Sequence, residues 1–327
     1  MAVITYREAL HQALQEEMRR DERVMLLGED IGAFEGAYKV TAGLYAEFGA
    51  RRVRDAPIAE LSFTGIGVGA AMMGLRPVIE IMTINFIQLA VDAVVNHAAK
   101  IHYMFAGEAK VPLVIRSPGG GGQQLAAQHS QMLDVWFAGV PGLKVVAPAT
   151  PADAKGLLKT AIRDDDPVVF IENLALYNTR GEVPEGEFLT SIGRAQVQRE
   201  GRDLSIVSHS RMTIVCLEAA RRLAQEGIEA EVVDLRSLRP LDRDTVTASV
   251  RKTNRALVVD EGWLSYGVNA EVAATIAEQA FDYLDAPVRR VGGAEVPMPY
   301  AKVLERAAMP DVDHVVAAAR ELRGRAG

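Results

Sequence analysis

Apolar residues Ala9, Leu10, Ala13, Leu14 and Met18 recur at helical spacing, and Thr5 followed by Glu8 supplies a capping box at the start of that helix. Residues 24–27 form a continuous apolar run closed by Gly28, the pattern of a short buried strand. The spacing then predicts a helix over 70–75, a strand over 77–81 and one long helix over 87–105. Residues 112–116 and 144–147 are strand-length apolar runs. Between them, 118–122 is expected to be loop, because four consecutive glycines lose too much backbone entropy in a regular element. Thr150, Pro151 and Asp153 open another helix, with the proline at its first position, and 168–171 reads as a strand.

Periodicity lapses over 178–187, where Gly181, Pro184 and Gly186 mark turns. Beyond it the alternation restarts. Strands are predicted over 204–208, 230–234, 256–260 and 288–291, with helices over 213–225, after Asp242 and over 271–281. Strands alternating with helices imply a mainly parallel sheet covered on both faces. The fold class is therefore α/β in two consecutive domains, residues 1–190 and 200–327, in keeping with a length of 327 residues and about 150 residues per domain.

Composition narrows the picture. With 49% hydrophobic and 24% charged residues the chain reads as an ordinary globular protein. A net charge of −7 argues against nucleic acid as a partner. No apolar run approaches the roughly 18 residues of a spanning helix, so no membrane association is expected. The single cysteine, Cys216, sits in an apolar helical pattern and is expected to be a buried structural thiol. With no leader-like start, the expectation is a cytoplasmic protein.

Several motifs fail on inspection. Gly65-Ile66-Gly67-Val68-Gly69-Ala70 has the letters of a dinucleotide fingerprint, but residues 59–64 make a poor core strand and Glu80 comes too early for the ribose acid. Close helix packing is the better reading, although an NAD-dependent oxidoreductase stays a rival class. Gly119 to Gly122 lacks the Lys-Ser or Lys-Thr of a P-loop. Ser208-His209-Ser210 is suggestive only as letters, with no orienting acid identifiable. His97 and His102 are five apart, off the spacing of two metal ligands on one helix face.

Two positions survive. Glu60 lies between an extended, proline-marked run and a glycine-rich helix start, where α/β sheets bind ligands; a first-turn acid favoured by the helix dipole is the bland alternative. His129, shortly after the glycine run, suits a general acid near neutral pH, or a loop histidine bonded to backbone.

The stretches around these positions resemble the β subunits of pyruvate-dehydrogenase-type 2-oxo acid dehydrogenases. They include Gly28-Glu29-Asp30, Pro57-Ile58-Ala59-Glu60, Met82-Thr83-Ile84-Asn85-Phe86, residues 126–131, Asp234-Leu235-Arg236 and Val296-Pro297-Met298-Pro299-Tyr300-Ala301-Lys302. The match runs in order over essentially the whole length. It implies an N-terminal pyrimidine-binding, transketolase-like domain and a C-terminal transketolase-type domain. It also implies oxidative decarboxylation of pyruvate with acyl transfer to lipoyl groups; acetoin or branched-chain 2-oxo acids are the alternative substrates, and a non-catalytic scaffold is a further rival.

By this resemblance Glu60 hydrogen-bonds the aminopyrimidine of thiamine diphosphate, favouring the ring tautomer able to take the thiazolium proton. Ile58, Met82 and Phe86 would flank that ring, and His129 would donate a proton during transfer to lipoamide. Leu113, Ala161, Ile162, Asp164 and Asp166 correspond to a potassium site built largely from main-chain oxygens. Thiamine enzymes hold the diphosphate through magnesium with a Gly-Asp-Gly and a later Asn-Asn. Neither string occurs in this chain. The resemblance places that half of the site, with its magnesium, on an α subunit in an α2β2 tetramer, with a lipoyl acyltransferase core as a further partner.

Overall fold

The computed structural model describes residues 1–324, which group into two units, 1–119 with 136–192 and 120–135 with the chain from 193 onward. In the first unit, strand β1 (Ala2–Thr5) leads into helix α1 (Tyr6–Arg20), where Thr5 and Glu8 form the expected capping box. The buried face of α1 carries Tyr6, Leu10, Ala13, Leu14 and Met18, all shielded in the core. β2 (Val24–Gly28), α2 (Leu44–Phe48), β3 (Val53–Asp55), α3 (Glu60–Met72), β4 (Arg76–Glu80), α4 (Ala99–Met104) and β5 (Val114–Gly119) follow. After the loop come α5 (Asp134–Ala138), β6 (Lys144–Val146), α6 (Pro151–Arg163), β7 (Val168–Asn173) and β8 (Arg180–Val183). Thr150 caps α6 with Pro151 in its first turn, and β8 pairs antiparallel with β1.

Six strands of this unit form a parallel sheet in the order β6-β7-β5-β4-β2-β3. β2 is followed in the chain by β3 on one side and β4 on the other, so the sheet reverses its direction of growth at β2. Such a reversal opens a crevice at the carboxyl ends of the strands, the usual ligand position of open α/β sheets. Gly28 closes β2 because the strands run so near each other there: a Cβ on it would lie 2.6 Å from the Glu80 carbonyl oxygen.

The second unit holds β9 (Gln196–Arg199), β10 (Leu204–Ser208), α7 (Ser210–Gln225), β11 (Ala230–Asp234), β12 (Ser237–Arg239) and α8 (Arg243–Thr253). β13 (Ala256–Trp263), α9 (Val268–Ala280), β14 (Arg289–Gly293), α10 (Lys302–Ala308) and α11 (Val312–Gly324) complete it. Its sheet runs β14-β13-β10-β11-β9, parallel except for the edge strand β9. Here the reversal falls at β10. Cys216 on α7 is fully buried, and burial pushes its thiol up to about 12, as a structural cysteine requires.

Three predicted elements differ. Helix α3 begins at Glu60 rather than near residue 70. The single helix over 87–105 is instead a 3-10 turn (Ile87–Ala90), a π-helical stretch (Ala93–Ala98) and then α4. Ala90 in the 3-10 turn and Ala93, Val94 and Ala98 in the π-helical stretch are buried in the core. β5 also extends through Pro118 and Gly119, which pair with Glu172 and Asn173, so the loop starts only at Gly120.

Candidate functional site

Three carboxyl ends meet around the reversal at β2. Glu29 follows β2, Glu60 opens α3 just after β3, and Met82 to Phe86 follow β4. Glu60 is 4% exposed and Glu29 6%. Burial, then the nearby charges of Glu60 and Asp30, raise the Glu29 carboxyl above its ordinary range. Its Oε1 is buried without a hydrogen-bond partner, as is Thr64 Oγ1 one turn along α3 from Glu60. Unpaired buried acceptors of this kind are costly unless a donor fills them.

The segment after β4 is held firmly. The Ile81 and Ile84 amides donate to the carbonyls of Arg116 and Pro118 at 3.1 and 2.8 Å, and the Asn85 amide side chain donates to Thr83 Oγ1 at 2.7 Å. Met82 and Phe86 are half-buried, whereas Ile58 is 84% exposed. Beneath this segment, the buried Arg116 guanidinium donates to Glu172 through two bonds of 2.7 Å and also to Glu80, while the Tyr177 hydroxyl donates to Glu172. Burial pushes the Glu80 carboxyl up, and Arg116 offsets this only in part.

His129 belongs to the second unit, on the loop 120–135, and is exposed. The loop is tied to its own unit by carboxylates. Gly121 N–H donates to Glu261 at 2.7 Å, and the Gly122 and Gln124 amides both donate to Glu305 Oε1 at 2.9 Å. At its far end Asp134 lies 2.8 Å from His209 Nε2, both almost fully buried. His209 follows β10, and Asp234 and Asp260 lie near the ends of the flanking strands. Burial alone would lower the imidazole; the bond and charge of Asp134, with Asp260 and Asp234 behind, push it up to about 9. The orienting acid that the sequence did not reveal for Ser208-His209-Ser210 is thus Asp134.

At the residues expected to hold potassium, side-chain cations already serve the acceptors. Arg76 donates to the carbonyls of Ile162 (3.1 Å) and Asp164 (2.9 Å), and Lys144 bridges the carboxylates of Asp164 (2.8 Å) and Asp166 (3.0 Å). The carbonyls of Leu113 and Ala161 accept backbone amides of Val168 and Asp164. The acceptors expected to hold potassium are thus already served by Arg76, Lys144 and backbone amides, although each carbonyl keeps a second lone pair.

Gly65 to Ala70 lies inside α3, not at a strand-to-helix turn, so the dinucleotide reading loses its geometry. His97 pairs with Asp92 at 3.2 Å and His102 with the Ala109 carbonyl at 2.9 Å, local roles for both. Sequence reasoning missed Glu29 as a site residue, although an acid directly after a buried run is a usable signal. It also missed the His209 cluster, which no local spacing announces.

A parallel sheet with buried acids at its reversal, followed by a second α/β sheet, defines a two-domain chain of transketolase type. The transketolase pyrimidine-binding domain matches residues 2–179 and the transketolase C-terminal domain residues 193–315. A solved structure described as a split-gene transketolase, an inactive β4 tetramer, superposes with a TM-score of 0.82 at 26% identity over 99% of both chains. Pyruvate dehydrogenase E1 component subunit beta-1 of Arabidopsis thaliana is 52% identical over 97% of this chain and 88% of its own. The corresponding β subunits of Rattus norvegicus and Rhizobium meliloti are each 50% identical, over 97% and 98% of this chain and 90% and 70% of theirs. The chain belongs to the family of pyruvate dehydrogenase E1 component β subunits. The expectation of a cytoplasmic protein is corrected by these relatives: those of Arabidopsis, rice and rat are named mitochondrial. Among the described residues no helix is long and apolar enough to cross a membrane.

Proposed function

We propose that this chain supplies the pyrimidine-binding half of a thiamine-diphosphate site for the oxidative decarboxylation of pyruvate, with transfer of the acetyl group to a lipoyl group. The observation that carries the reading is the buried pair Glu60 and Glu29 at the reversal of the first sheet, with one carboxylate oxygen unpartnered. When bound, the cofactor supplies the carbon nucleophile that adds to the 2-oxo carbonyl. Glu60, in the first turn of α3, holds a ring nitrogen of the cofactor through a hydrogen bond. Phe86, Met82 and Ile58 offer apolar contact to the ring, and His129 donates a proton during acyl transfer.

An α subunit holds the diphosphate and its magnesium, giving an α2β2 assembly that delivers acetyl groups to a lipoyl acyltransferase core. The two domains are 1–190 and 200–327, except that the loop 120–135 groups with the second. The outer face of α3 supports a macromolecular partner. A Cβ placed on Gly65 or Gly69 would meet nothing within 4 Å, and both glycines sit among exposed Leu61, Ile66, Met72 and Met73. Potassium, bound by Leu113, Ala161, Ile162, Asp164 and Asp166, steadies the start of β7; a melting temperature that does not rise in KCl over equal NaCl would remove it.

The test is co-expression with the α subunit and a rate comparison across pyruvate, branched-chain 2-oxo acids and acetoin, with pyruvate expected to dominate. Glu60→Gln is expected to lower turnover roughly 100-fold, the kinetic equivalent of about 3 kcal/mol, while the melting temperature stays within a few degrees. A fully active Glu60→Gln complex would sink the reading.

A further inference from the structure

The second sheet reverses its direction of growth at β10, so its crevice lies beyond Ser208, between the ends of β11 and β13. In open α/β sheets that position receives a ligand. Here it receives a side chain of the same chain. His209 follows β10, Asp260 lies on β13 and Asp234 ends β11, and Asp134 enters from the loop 120–135 to meet His209 at 2.8 Å. Asp134, His209, Asp234 and Asp260 are all buried, none more than 3% exposed. The ligand atoms of Asp134, His209 and Asp260 lie within 4.8 Å of one another. A metal would need all three within about 2 Å of one point. Asp260 is otherwise engaged, its oxygens accepting from Gly262 N–H at 2.9 Å and the Asn269 side chain at 3.0 Å. The His209–Asp134 hydrogen bond, with Asp260 and Asp234 as nearby acids, accounts for the arrangement.

The loop so anchored is strained. Gln124 and Ala126 both have φ in the left-handed region, at 56° and 63°, which side-chain-bearing residues rarely adopt and keep only when neighbours over-determine them. Glu305 and Glu261 fix the glycine end, and Asp134 fixes the other; His129 lies between the anchors.

We propose that His209 is a positioning residue: through Asp134 it clamps the loop 120–135 in the one conformation that presents His129 for acyl transfer. This rests on the reading of His129 given above. The clamp itself does not, because loop closure can be read without activity.

Two variants test it in the complex with the α subunit, His209→Gln and Asp134→Asn, the second serving if the first fails to fold. Each is expected to lower kcat for transfer to a lipoyl domain at least tenfold, with KM for that domain unchanged. Decarboxylation read with an artificial electron acceptor should fall less than twofold, and the double variant should add nothing further. Thermolysin cleavage before Leu125, which is 38% exposed, should accelerate at least tenfold in the full-length chain. Wild-type cleavage in both single variants overturns the clamp, whatever the transfer rate. A His129→Gln complex with undiminished transfer would instead sink the reading of His129, and the cleavage rates would still decide the clamp.

Discussion

Glu29 shows how a site residue works against its own fold. Its carboxyl is raised by burial, by Glu60 and by Asp30, so ionising it costs more in the folded chain than in the unfolded one. Stability from such a group is present at acid pH and is lost as pH rises from the unfolded value through the folded one. Glu29→Gln is therefore expected to raise the melting temperature at pH 7, with the gain vanishing near pH 4; equal gains at both would contradict the assignment. The same variant should weaken cofactor binding, the usual trade of stability for function. At this scale the sequence was only half legible. Glu60 could be singled out by its place before a helix start, but its partner acid, the Arg116 network and the His209 cluster join residues far apart in the chain, and only folding brings them together.

Helix α3 explains why one element was misplaced. Its burial alternates cleanly, with Phe63, Thr64, Gly67, Val68 and Ala71 inside and Leu61, Gly65, Ile66 and Gly69 outside. Both faces, however, are mostly apolar or glycine, with Thr64 inside and Ser62 outside, so no hydrophobic period marks residues 60–69 as helical. The glycines differ in what they permit. A Cβ at Gly67 would lie 2.6 Å from the Ile79 side chain, so Gly67→Ala should destabilise the chain by about 1–3 kcal/mol. Gly65→Ala and Gly69→Ala meet open space and should stabilise the lone chain by up to about 1 kcal/mol each. If the outer face meets a partner, the same two changes should weaken assembly, which thermal melts and sedimentation of the mixed subunits would separate.

For the whole molecule, the alternation of strands and helices made the fold class readable, because parallel sheets need both faces covered and write near-continuous apolar runs into the chain. The membership of the loop 120–135 in the second unit was not readable. Its residues are mostly small and polar, and the carboxylates that tie it down lie far along the chain, at Glu261 and Glu305. The outer face of α3 has one more consequence, in the economy of synthesis. Every copy made without a partner carries Leu61, Ile66 and Met73 uncovered into solution, where exposed apolar patches invite association and clearance. If the proposed α subunit covers this face, the relative supply of the two chains, rather than the stability of this fold alone, sets how much of the chain survives.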